Sequence, residues 1–196
     1  MSQEPQDDIK IVKNDSGSFI WETIKVIVIS LVIIVPIRYY LVQPFFVKGA
    51  SMEPNLENGD YLLVDELSYR FNAPKRGEII VFRYPYDTSQ FFIKRIVGLP
   101  EETIEIRNNI VKIYKDDKAN GAVLKEEYLP ASQKTLGDEV IQLKEDEYLV
   151  LGDNRLQSSD SRRWGPLASK YIVGRAFVRL WPFDEISKVS KINYDF

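Results

Sequence analysis

The chain contains no histidine and no cysteine among its 196 residues. Without histidine it cannot build a Ser-His-Asp triad. Without cysteine it has no thiol nucleophile, no disulfide and no thiolate zinc site. If this protein hydrolyses a peptide, the plausible base is therefore a lysine held neutral, because serine–lysine pairs are a known variant of the nucleophile-plus-base arrangement. A basic cluster is also missing. The 26 Lys and Arg against 29 Asp and Glu leave a formal net charge of −3, which argues against nucleic acid as a partner. The glycine patterns of dinucleotide and P-loop sites do not occur, and there is no internal repeat. No metal and no cofactor are expected.

What is present divides into two parts. Residues 19–47 read FIWETIKVIVISLVIIVPIRYYLVQPFFV, mostly apolar, with the cleanest run over 26–37. A membrane span needs about 20 residues. Glu22 and Lys25 near one end and Arg38 near the other fit side chains that reach the interfaces. Trp21, Tyr39 and Tyr40 stand where an aromatic belt would lie. A buried soluble helix is the plainer alternative, but no polar face interrupts 26–35. A cleavable leader would need small residues at its end, and Gln43-Pro44-Phe45-Phe46 is a poor junction. The segment 19–43 is thus expected to be an uncleaved anchor behind a tail of residues 1–18. Lys10, Lys13 and Lys25 on one side of the apolar run 26–37 outnumber Arg38 and Lys48 on the other, which leans towards a cytoplasmic N-terminus and an external domain. The remaining 44–196 suit one globular domain.

After Pro44 the pattern changes to short strand-like runs between turn residues. These are 61–64, 78–84, 91–97, 147–151 and 171–181, the last interrupted by Gly174. The runs 103–106 and 110–114 alternate across Arg107-Asn108-Asn109, which predicts a hairpin. Residues 116–145 are more polar and irregular and read as an inserted flap. No long amphipathic helix follows the anchor. The domain is expected to be mainly β, with sheets packed or curled on each other.

Three elements could carry chemistry. Ser51 lies between Gly49 and Pro54, where a glycine lets another backbone approach closely and the Ser51 amide could face a developing oxyanion. A serine in such a place is ordinarily only a turn residue. Lys94 sits in Phe91-Phe92-Ile93-Lys94-Arg95-Ile96-Val97, where alternation puts Phe92, Lys94 and Ile96 on one face and Arg95 on the other. Apolar flanks lower a lysine's pKa and make it a usable base; a charge that blocks edge pairing is the alternative. The third element is Gly152-Asp153-Asn154-Arg155-Leu156-Gln157-Ser158-Ser159-Asp160-Ser161-Arg162, either a solvated turn or an ordered polar loop.

Together these blocks resemble the type I signal peptidases, in the single-anchor, Gram-positive-like branch of the Ser-Lys endopeptidases. The resemblance rests on Gly49-Ala50-Ser51-Met52-Glu53-Pro54, on Arg76 to Phe82, on Lys94-Arg95-Ile96-Val97-Gly98-Leu99-Pro100, and on Gly152-Asp153-Asn154-Arg155 with Ser158, Asp160, Ser161 and Arg162. It implies two antiparallel β-sheets with a β-rich insertion over about 101–147, preceded by one transmembrane helix. Ser51 is like the family's nucleophile and Lys94 like its general base. Ser158 matches a residue that orients the lysine amine, and Asp160 with Arg162 a structural ion pair. Phe45, Val47, Leu56, Phe92 and Ile93 match the walls of small pockets for Ala-X-Ala substrates. Such a peptide would add as a strand between 44–49 and 91–93. The implied partners are secretory preproteins, the lipid bilayer and the nearby export machinery. Glu101-Glu102 stand where Gly-Asp is common, Asn55 where Thr is common, and Glu78 where Asp is common. Gly49 replaces a serine that assists the oxyanion hole in some members. Two other functions are weighed. A self-cleaving repressor would need a helix-turn-helix where the apolar segment stands. A membrane-anchored module that only presents preproteins would lack the serine or the lysine.

Overall fold

The computed structural model describes residues 16–36, 42–115 and 120–194. The tail before residue 16, together with Arg38, Tyr39 and Tyr40, lies outside the described residues, as do 116–119 of the expected flap. The chain divides into two bodies, Met1–Arg38 and Tyr39–Phe196.

The first body contains helix α1, Ser16–Pro36. From residue 19 to 35 every side chain except Ser30 is exposed, including Val26, Ile27, Val28 and Ile29. An apolar surface all round a helix is unstable in water and calls for a cover. Among the described residues, no helix is long and apolar enough to cross a membrane.

The described residues of the second body form twelve strands: β1 Val42–Phe46, β2 Tyr61–Asp65, β3 Ile79–Tyr84, β4 Asp87–Gly98, β5 Thr103–Arg107, β6 Ile110–Tyr114, β7 Ala122–Val123, β8 Glu139–Gln142, β9 Glu147–Leu151, β10 Leu167–Ala168, β11 Ile172–Trp181 and β12 Ser187–Lys188. Two single-turn helices, α2 Ser68–Phe71 and α3 Ser161–Trp164, join them. The larger sheet runs β1-β2-β11-β3-β4-β9-β10, with β12 on β11; the smaller runs β7-β6-β5-β8. All pairings are antiparallel. The expected class, mainly β with two antiparallel sheets and a β-rich insertion, is what the chain forms. Val42 and Gln43, expected at the end of the anchor, are instead paired with Asp65 and Val64. Their backbone groups are committed to a sheet.

The pairing follows from the sequence pattern. β3 is buried at four successive positions, Ile79 to Phe82, because each of its faces has its own core. One core holds Ile80, Phe82, Ile96, Tyr148, Val150 and Leu167; the other holds Val47, Met52, Leu56, Leu62, Ile79 and Ala176. The insertion is half-buried and alternates. Ile104 and Ile106 of β5 and Val111 and Ile113 of β6 point inward onto Val97, Leu149 and Leu151. Asn108 and Asn109 take φ of 53° and 61°, the two left-handed positions of a tight hairpin turn, which asparagine tolerates. Truncating Ile106 to alanine would cost about 2–5 kcal/mol and loosen the insertion from the larger sheet.

β4 is longer than the sequence suggested, because its first residues extend past the core as an exposed hairpin paired to Tyr84 and Arg83. This strand places the site. Ile80 pairs with Lys94 and Phe82 with Phe92, so Lys94 shares its face with apolar side chains. Ile79 pairs with Arg95 on the opposite face.

Candidate active site

Ser51 sits in a turn between the end of β1 and β2. The turn is fastened at its base by Val47 N–H donating to Asp60 O at 2.9 Å and Gly59 N–H to Val47 O at 3.0 Å. Gly49 has φ of +89°, and nothing lies within 4 Å of where its Cβ would be. The expectation that this glycine admits a neighbouring backbone is therefore corrected: the left-handed turn is what requires it. Its N–H donates to Asn58 Oδ1 at 2.9 Å, so it is not a free oxyanion donor. The Ser51 N–H has no protein acceptor among the described residues.

Lys94 reaches this turn from β4. Its Nζ is hydrogen-bonded to Ser51 Oγ at 2.8 Å and donates to Ile93 O at 2.8 Å. The side chain is 4% exposed and its Nζ lies 5.5 Å from the Phe92 ring centroid. Burial pulls its pKa from 10.5 down to about 8, while the charges of Asp160 and Asp153 draw it partly back. A large fraction of the amine is thus neutral near pH 8, within hydrogen-bond distance of a serine hydroxyl.

The third element, 152–162, wraps behind Ser51. Asn154 N–H donates to Ser51 O at 3.0 Å, and Asn154 Nδ2 to Ala50 O at 3.1 Å. Gly152 is necessary here, since a Cβ would lie 2.2 Å from Ser158 Oγ and 2.5 Å from Ser51 O. Asp160 binds Arg162 through two hydrogen bonds of 2.8 Å and accepts the Gly152 N–H at 3.1 Å. Burial alone would raise the Asp160 pKa, but the Arg162 hydrogen bonds and charge lower it overall. Ser158 is a correction. It is buried beside Asp160, where its hydroxyl helps to hold the carboxylate ionised without a hydrogen bond of good geometry, and no hydrogen bond links it to the Lys94 amine. With no side chain on Gly152, Ser158 packs into the space that a Cβ there would fill.

A groove of about 620 Å³ opens in front of the pair, enough for a few residues of extended peptide. Phe45, Val47, Phe92 and Ile93 line it together with Ser51, Lys94, Gln157 and Ser159. Leu56 does not. It is 1% exposed and packs in the core with Met52 and Leu62, behind Val47 rather than beside the groove. Phe45 meets Phe91 edge-on at 5.2 Å, which closes one wall.

Sequence reasoning missed the buried charges that hold this arrangement. Arg95 grips Asp153 with bonds of 2.8 and 2.6 Å, and both side chains are almost fully buried. Asn55 Nδ2 adds a bond to Asp153 at 2.9 Å. Arg155 binds Glu126 of the insertion. The available signal was Arg95 itself: a charge on an otherwise apolar strand, pointing away from the groove, needs a partner. Among the described residues, no group of three or more carboxylates could hold a metal ion.

A family model described as signal peptidase, peptidase S26, matches residues 20–181. The chain belongs to this family. The match takes in most of α1 and the β body, including Ser51, Lys94 and the loop behind them. A probable signal peptidase I-1 of Synechocystis sp. is 39% identical over 184 residues, covering 90% of each chain. A signal peptidase I of Bacillus amyloliquefaciens is 33% identical over 195 residues, covering 94% of this chain and 96% of the relative. A crystal structure of a signal peptidase I from Enterococcus faecalis V583 aligns at 31% identity and a TM-score of 0.44, covering 53% of this chain and 97% of that one.

Proposed function

We propose that the chain is a membrane-anchored serine endopeptidase that removes N-terminal signal peptides from secretory preproteins, with Ser51 as nucleophile and Lys94 as general base. The observation that carries this is the 2.8 Å hydrogen bond between Lys94 Nζ and Ser51 Oγ in a chain with no histidine. Ser51 Oγ attacks the scissile carbonyl carbon while its proton passes to neutral Lys94 Nζ. The Ser51 amide faces the oxyanion. Collapse of the tetrahedral intermediate breaks the C–N bond, and the leaving amine takes the proton from the Lys94 ammonium. Water then attacks the ester as Lys94 takes its proton, and on collapse the C–O bond to Ser51 breaks while the Lys94 ammonium returns that proton to Ser51 Oγ, regenerating the neutral amine.

The substrate lies extended in the groove, between 44–49 and 91–93. Val47, Phe92 and Ile93 leave room for alanine at the residues one and three before the cut, and exclude large or charged side chains. The anchor occupies the apolar segment from residue 19 to before Val42, with the tail 1–18 in the cytoplasm and the peptidase body outside, near the export machinery that delivers its substrates. Its support is the sequence of that segment and the exposed apolar surface of α1.

Detergent-solubilised protein incubated with a secretory precursor tests this, with the new N-terminus read by sequencing. The product should begin one residue after Ala-X-Ala. Ser51→Ala and Lys94→Ala should each lower kcat/KM by about 10⁴-fold or more while thermal unfolding stays cooperative. Substantial activity in Lys94→Ala, or efficient cleavage after Phe or Asp, would contradict the assignment.

A further inference from the structure

Arg155 is a buried guanidinium with all of its donors occupied. Its side chain has 0% exposure. Nε donates to Gly152 O at 3.1 Å. Nη1 donates to Glu126 Oε2 at 2.8 Å and to Thr135 Oγ1. Nη2 donates to Glu126 Oε1 and to the Tyr128 hydroxyl at 3.0 Å. Guanidinium has five N–H groups in a fixed planar fork, so this site saturates it. Every partner but one comes from the segment between β7 and β8, and the remaining one is the carbonyl of Gly152.

That carbonyl is one step from the nucleophile. The Gly152 backbone lies against the Ser51 carbonyl so closely that a Cβ would not fit, and Asn154 holds the carbonyls of Ala50 and Ser51. From the insertion, Gln133 Nε2 reaches Asn154 Oδ1 at 3.4 Å. The Arg155 carbonyl in turn accepts Arg162 Nη2 at 2.7 Å, joining the Asp160 pair to the same loop. Among the described residues the insertion reaches the Ser51 turn through this loop and through one direct contact, Asn55 Nδ2 donating to Tyr128 O at 3.4 Å. The groove walls Val47, Phe92 and Ile93 make none of these hydrogen bonds.

We propose that Glu126, through Arg155, is a positioning residue for the catalytic pair, so that the insertion sets the register of Ser51 against Lys94 without touching substrate. This rests on the proposed peptidase function. A displacement of the 152–154 backbone would move Ser51 Oγ off the amine, and misplacement of reacting groups by about 1 Å costs on the order of 100-fold in rate. The loss should fall on kcat and leave KM alone. It should also move the pH dependence, because Asp153 and Asp160, which act on the Lys94 charge, lie in the displaced loop.

The test is steady-state kinetics of the full chain in detergent with a fluorogenic Ala-X-Ala peptide, alongside thermal unfolding. Glu126→Gln should lower kcat by about 10- to 100-fold with KM within about twofold, shift the midpoint of the pH profile, and still unfold cooperatively. Glu126→Asp, which keeps the charge, should recover part of the loss. Tyr128→Phe keeps the ring that lies 4.4 Å from the Arg95 guanidinium and removes only the hydroxyl; it should lower kcat by about threefold. A folded Glu126→Gln with unchanged kcat, or with raised KM and unchanged kcat, overturns the proposal. If Glu126→Gln does not fold, an unchanged kcat in Tyr128→Phe overturns it. Wild-type protein that fails to cleave would overturn the proposed function and this proposal together. Cleavage indifferent to the variants would overturn this proposal alone.

Discussion

Lys94 and Arg95 are neighbours on one strand, both cationic by type and both buried, at 4% and 2% exposure. They face opposite ways and meet opposite fates. Lys94 faces Phe92, Ile80 and Ile96, with no carboxylate in contact, and burial lowers its pKa to about 8. On the other face Arg95 meets Asp153, and although burial disfavours its charge, the hydrogen bonds and charge of Asp153 raise its pKa overall. A buried cation without a counter-charge becomes a base, and one with a counter-charge becomes a brace. The strand thus sets a reactive group and its support one residue apart, and the partner decides which is which.

The strongest way to break this contrast is to remove the brace's partner. Asp153→Asn leaves the Arg95 charge buried and unpaired, which should cost about 3–5 kcal/mol in urea unfolding. Arg95→Met combined with Asp153→Leu should recover much of that loss, since a packed apolar pair can match a buried ion pair. A cost below about 1 kcal/mol for the single change would mean that Arg95 is not a brace.

The opposite is expected on the other face. Folding lowers the Lys94 pKa from 10.5 to about 8, so the unfolded chain binds this proton more tightly. The charged lysine therefore penalises the fold fully below about pH 8, and the penalty fades as pH rises towards 10.5. The difference corresponds to about 3 kcal/mol. Lys94→Met should be inactive and more stable than wild type at pH 7, with its advantage shrinking between pH 8 and 10.5. Paired unfolding curves across that window check this, and an advantage independent of pH would contradict it.

The smallest effect is expected at Ser158. Its hydroxyl is buried beside Asp160 without a hydrogen bond of good geometry, so Ser158→Ala should change thermal stability little. Activity should fall by no more than about tenfold, the worth of one neutral hydrogen bond made during the reaction. A loss as deep as that of Lys94→Ala would place Ser158 on the amine after all.

The contrast was half legible in the sequence. Alternation along 91–97 put Lys94 among apolar side chains and Arg95 on the other face, and that is local information. Asp153 and Glu126 could not be matched to Arg95 and Arg155, because a salt bridge between residues 58 and 29 positions apart leaves no periodic trace. The hairpin at Asn108-Asn109 was legible because two left-handed turn positions demand such residues. The short strands β7, β10 and β12 were not, since two residues carry no pattern. Leu56 was misplaced for a similar reason: an apolar residue near a serine lines a groove or fills a core, and only packing distinguishes them. The departures from the family's pattern have local accommodations. Glu101 takes a left-handed φ of 66° where glycine is common, and Asn55 supports Asp153.

The central claim is that a desolvated Lys94 takes the Ser51 proton, and the pH dependence of kcat/KM on a peptide substrate tests it most directly. Activity should rise about tenfold per pH unit up to about pH 7.5, bend near the Lys94 pKa of about 8, and level off above it. A profile flat from pH 6 to 8, or one whose bend stays near 10.5, would contradict it.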